Sequence, residues 1–327
     1  MNTLLKTLAL SLLSVLLASA HSLVVVHGQT LVTNIPVDGG PVGSALTPDG
    51  TQLYVANDDT GTVNVIDLAA RRVIDSIPAD AGSVWVRFRP DSSEAYVANW
   101  GTNTVSVIDS ITRSVIDTIT VGDGPHNLTF TPDGAQAYVA IFGNYDGNSV
   151  DIIDTASRKR VGSIKVGLGP HEVVLNADAS RAYVANLMDN SVSVVDTASR
   201  EVIDTIVTDD LPCGLALTRD GAELFVSHLN YDRGVASVID LQRAEVVATI
   251  AVGLGGHSVM MTPDGLQAHV TNDGSNSVSV IDVASTDVVL TYAAGEGPHG
   301  ISFSFDGTEA YVSNIIGNSI SVISFVK

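Results

Sequence analysis

Cysteine is almost missing: the 327-residue chain holds one, Cys213. No internal disulfide can form, so whatever closes the fold is noncovalent. Aromatic residues make up only 5%, so the core has to be aliphatic. Basic residues are few, 16 Lys and Arg against 36 Asp and Glu, which leaves a formal charge of −20 and no basic stripe. A surface of that sign repels a phosphate backbone, which excludes nucleic acid as a partner. Also missing are a phosphate-binding glycine loop, H-E-x-x-H, the G-x-S-x-G elbow and the C-x-x-C-H haem attachment. Their absence removes several enzyme classes.

The first 20 residues read as a secretory signal. Lys6 gives the positive start, Leu8 to Leu17 the short apolar run, and Ala18-Ser19-Ala20 an A-x-A cleavage site. His21 and Ser22 break the run below the ~20 residues of a membrane span. The expectation is a signal peptide over 1–20, a mature chain over 21–327 forming one domain, no span after cleavage, and a secreted or periplasmic location. Cleavage after Ala20 would also make His21 the new N-terminus, where amine and imidazole together chelate copper.

What the chain has in abundance is repetition. A segment of about 42 residues recurs seven times. Tyr54-Val55-Ala56-Asn57 returns as Tyr96-Val97-Ala98-Asn99, Tyr183-Val184-Ala185-Asn186 and Tyr311-Val312-Ser313-Asn314. Each copy offers four short strands. In the third they are His126–Phe130, Ala137–Ala140, Asn148–Asp154 and Arg160–Val166, with Thr131-Pro132-Asp133-Gly134 as the first turn. The pattern predicts an all-β, seven-bladed β-propeller with four-stranded blades. The last copy stops after its third strand, at 319–325. Leu31 to Val37 aligns with the fourth strands, so the N-terminal strand is expected to close the last blade and remove two open sheet edges.

The Tyr-Val-Ala-Asn and Val-Ile-Asp motifs resemble those of the YVTN-repeat β-propeller family over essentially the whole mature chain. The resemblance implies the architecture. Such relatives include cell-surface propellers, lactonase-like propellers and quinoprotein-type subunits, so activity is left open. The repeats depart from the pattern at His228, His269 and Ile141.

Function has to be sought where the copies differ. The position after the Pro-type residue reads Val42, Val84, His126, His171, Cys213, His257, His299. The inner strand of a propeller blade lines the central channel, so these form a ring at its mouth. Imidazoles and a thiol converging on one axis suit a transition metal, copper or zinc first. The plainer reading is a histidine copied by duplication, bonding the next blade's backbone. Cys213 interrupts that duplication with a second ligand type.

Two insertions, Phe142–Gly147 and Leu229–Gly234, each carry Asn-Tyr-Asp between the second and third strands. With Trp100, their Tyr145 and Tyr231 are candidate walls of a ligand site over the channel; a tolerated loop insertion is the alternative. Trp85, Arg87 and Arg89 alternate on the second inner strand. Arg87 is a candidate for binding a carboxylate or phosphate, against an inter-blade ion pair. Three functions stay open: a metal-binding propeller using His126, His171, Cys213, His257 and His299; a lactonase- or lyase-like enzyme acting on a small anionic substrate at the same mouth; and a cell-surface scaffold for a protein partner. The repeated Asp67, Asp109, Asp154, Asp196, Asp240 and Asp282 end third strands and read as turn residues.

Overall fold

The computed structural model describes residues 28–90 and 93–326. The export signal expected over 1–20, and His21, lie outside them. Among the described residues, twenty-eight strands, numbered in chain order, form seven four-stranded antiparallel sheets. The third blade consists of β10 (Pro125–Phe130), β11 (Gln136–Ile141), β12 (Ser149–Asp154) and β13 (Lys159–Lys165). Each boundary falls within a residue or two of the sequence expectation.

Local chemistry sets the turns. Thr131 O accepts the Gly134 N–H at 2.8 Å, Gly134 sits at φ +66°, and the Asp133 carboxylate takes the Thr131 hydroxyl at 2.6 Å and the Ala135 N–H at 3.0 Å. The Asp residues ending third strands work the same way: Asp154 accepts the Ser157 N–H at 2.8 Å, and Asp109 accepts the Ile111 and Thr112 N–H groups at 2.8 Å.

The core lies between blades. Tyr138, Val150, Ile152 and Ile164 of the third blade pack against Val173, Val184 and Val195 of the fourth, and comparable clusters recur around the ring. Tyr96 meets Phe130 of the next blade edge-on at 5.0 Å, so the motif tyrosine is an inter-blade wedge. His269 fills that slot in the sixth copy, edge-on to Phe303 at 4.9 Å and with Nδ1 3.0 Å from the Tyr292 hydroxyl.

Closure occurs as expected. β1 (Gly28–Pro36) pairs antiparallel with β28 (Ser319–Val326), and with β27 (Glu309–Asn314) and β26 (Pro298–Phe303) the last sheet takes the order β1-β28-β27-β26. The innermost strands of the first and last blades, β2 (Pro41–Leu46) and β26 (Pro298–Phe303), also touch, which completes the ring.

Candidate functional site

The inner strands carry one feature that strict alternation does not foresee. In β10 the pairing jumps from Pro125↔Ile141 to Leu128↔Val139, and the other inner strands bulge at the same place. A bulge sets two residues of one strand against one of its partner and re-aims their side chains. Here it falls on the histidine column, so consecutive residues line one central gap: His126 with Asn127, His171 with Glu172, and His257 with Ser258, closed by Trp85. Glu172 and Asn127 were not legible as site residues in the sequence. The signal that could have found them is their place beside the histidines in a strand whose neighbours there are Gly43, Gly214 and Gly300.

Five predicted residues converge. The His126 and His171 rings are 3.9 Å apart, His171 and His257 5.2 Å, and His257 and His299 3.2 Å. Cys213 Sγ lies 3.4 Å from His171 Nδ1. One ligand atom from each of His171, Cys213 and His257 can be chosen so that all lie within 4.8 Å of one another. Ligands on a tetrahedral zinc at about 2.0–2.3 Å stand roughly 3.3–3.8 Å apart, so a small inward adjustment closes the set. The copied-histidine reading holds for one ring: His126 Nδ1 donates to the His171 carbonyl at 3.2 Å. It does not hold for His257 and His299, which are 5% and 8% exposed and whose buried Nδ1 atoms have no hydrogen-bond partner.

The electrostatics follow from burial. Desolvation, reinforced by the neighbouring imidazoles, holds His171 and His257 well below the ordinary histidine value. Burial takes His126 down to about 4 and His299 to about 3. The rings are therefore neutral at pH 7 with free lone pairs, the form that binds metal. Burial pushes the Cys213 thiol well above its usual range, with Glu172 and Asp273 adding to it. Glu172, buried in the same gap, rises to about 7 through desolvation, although Arg87 and bonds from the Leu215 N–H at 2.9 Å and the Asn127 amide at 3.2 Å favour its charge.

The remaining candidates stand apart from this cluster. Phe142 of the third-blade insertion covers the rings, 5.7 Å from His126 and 5.6 Å from His171, and Tyr145 packs edge-on against Phe142 at 4.9 Å. Trp100 Nε1 donates to the Gly143 carbonyl at 3.1 Å and so anchors the insertion. Tyr231 donates its hydroxyl to Asp273 at 2.6 Å, bracing its loop on the sixth blade. These loops share the face of the histidine turns, since Phe142 N–H bonds Gly124 O and Leu229 N–H bonds Leu211 O. Arg89 forms an ion pair with Glu94 at 3.0 Å. Arg87 reaches into the channel instead, against Trp85.

Fold and cluster together define a seven-bladed β-propeller that gathers four imidazoles and a thiol at one channel mouth. The repeats and the closed ring agree with the YVTN-repeat resemblance. A YNCE-like beta-propeller family model matches residues 146–265, and a cytochrome D1 heme domain model matches residues 43–172. Among solved structures, Kuenenia stuttgartiensis Hydrazine Synthase is similar in fold, with a TM-score of 0.81, 24% identity, and coverage of 87% of this chain and 95% of that one. No curated protein matches.

The heme-domain match invites a test of fit. Cofactor sites occupy about 300–1,000 Å³. The gap among these side chains is too narrow to admit even a water molecule. A macrocycle does not fit in that gap.

Proposed function

We propose that this is an exported propeller that binds one transition metal ion, copper or zinc, at the channel mouth. His171, Cys213 and His257 supply the primary ligands, and His299 and His126 stand within reach. Export rests on the signal-like residues 1–20. The observation that carries the metal reading is the convergence of three buried ligand groups within 4.8 Å, beside two buried imidazole nitrogens that lack partners. A buried polar atom without a partner costs about 1–3 kcal/mol, and a bound ion removes that cost. The mixed imidazole–thiolate set suits copper or zinc over calcium or magnesium, which take oxygen.

The residues divide the work. The neutral imidazoles donate lone pairs without first losing a proton. Cys213, protonated when free, releases one proton as it binds. Phe142 caps the rings and keeps water from them. Bound metal would supply either a redox centre or cargo. The test is metal content of the exported chain beside His171→Ala/Cys213→Ser. Near-stoichiometric copper or zinc, lost in the variant, is the expected result; metal-free protein after incubation and washing would overturn it.

A further inference from the structure

One charged side chain in the channel is left out of the metal chemistry. Arg87 lies on the second inner strand, β6 (Ser83–Phe88), further down the channel than the bulge. The matching positions on the other blades are Ala45, Thr129, Val174, Ala216, Met260 and Ser302, all uncharged. The guanidinium is deep in the ring, which lowers its pKa, yet the residue is only half-buried and keeps contact with solvent.

Its partners are few. Nη1 donates to the Ser44 carbonyl at 3.3 Å and, marginally, to its neighbour Val86 at 3.5 Å. The group sits 5.1 Å from the Trp85 ring. Glu172 favours its charge from a distance, but among the described residues no carboxylate forms an ion pair with it. Arg71, Arg89, Arg158, Arg160 and Arg181 contrast sharply, each with a carboxylate at 2.5–3.0 Å. A guanidinium has five N–H donors in a planar fork that matches two coplanar oxygens. The indole over which the guanidinium sits also has its Nε1–H buried without a partner.

We propose that the channel holds a small oxyanion, a monocarboxylate or phosphate, on Arg87, one layer below the His/Cys cluster and separate from it. Two oxygens accept from the guanidinium fork. The site does not depend on the metal reading.

The chain has two tryptophans, so Trp100→Phe leaves Trp85 as the sole indole reporter. Titrating that protein with sodium acetate, and separately with sodium phosphate, at fixed pH with chloride holding ionic strength, should change Trp85 emission saturably at one anion per chain. Acetate alone, phosphate alone or both would each support the site and name its oxygen source. Adding Arg87→Met should weaken binding about tenfold or more, and adding His171→Ala/Cys213→Ser should leave it unchanged. If Arg87→Met does not fold, titration calorimetry of the unsubstituted chain decides. No saturable response to either anion, or an equal response with Arg87→Met, would overturn the proposal.

Discussion

At the scale of residues, the repeated motif resolves into distinct jobs. Its asparagine is a buried clamp: Asn99 Oδ1 accepts the Ser83 hydroxyl at 2.9 Å, while its Nδ2 donates to Thr104 at 3.2 Å and Ser106 at 2.8 Å, joining the three inner strands of the blade. Asn186 and Asn314 donate to serines at the same spacing. His228 does the equivalent in the fifth blade, contacting Asp210 O at 3.1 Å and Ser237 Oγ at 2.9 Å. The departures at His228 and His269 are therefore substitutions within a structural role. Asn99→Ala removes the clamp and leaves Ser106 short of a partner, while Ser83 keeps the Asp80 carbonyl at 2.8 Å. It should cost about 1–3 kcal/mol, read from the urea midpoint at unchanged slope. A change below ~0.5 kcal/mol would show that the clamp carries no weight.

At the scale of elements, turn chemistry and period made the strands legible in the sequence, because both are local. The inner-strand bulges were not, since alternation gives no sign of an extra residue until two side chains must share one face. That is why His171 stood out while Glu172 beside it did not. Trp85 was visible as an oddity, but its packing against Gly43 was not: a Cβ at Gly43 would lie 2.7 Å from the indole ring. The insertions were legible as loops, and what the sequence hid was that Phe142, not either tyrosine, covers the histidines. β1 was read from its likeness to the fourth strands. It is the outer strand of the last sheet, and its own Ile35 is buried in the core. Deleting residues 28–36 would open the edge of β28 and leave the ring without its closing pair. The expected result is a fall in Tm of at least ~10 °C by circular dichroism; unchanged thermal unfolding would mean the ring closes without it.

At the scale of the whole molecule, the buried imidazoles couple stability to pH. The folded chain refuses protons that the unfolded chain takes up below about 6.5. Stability contributed by their neutral burial is full above that value and falls as pH drops toward about 4, where His126 titrates in the fold. Each such histidine adds up to about 1.4 kcal/mol per pH unit across its window. Glu172, raised to about 7, acts the other way between the ordinary carboxyl range and neutrality, but it is one group against His126, His171, His257 and His299. The urea midpoint should therefore drop steeply between pH 6.5 and 4.5 and flatten above. A midpoint level across that acid range would show that the rings protonate in place. Bound metal, which competes with protons for the same nitrogens, should shift the fall to lower pH.

The proposed metal site puts one ion on a thiolate and imidazoles of this ring. The most direct measurement is the absorption spectrum of the full chain titrated with Co²⁺, a coloured stand-in for zinc. The expected result is a thiolate-to-cobalt charge-transfer band that saturates at one equivalent, with loss of about one proton per ion, and that disappears in Cys213→Ser. A spectrum that never exceeds that of aqueous cobalt, or one that Cys213→Ser leaves unchanged, would contradict it.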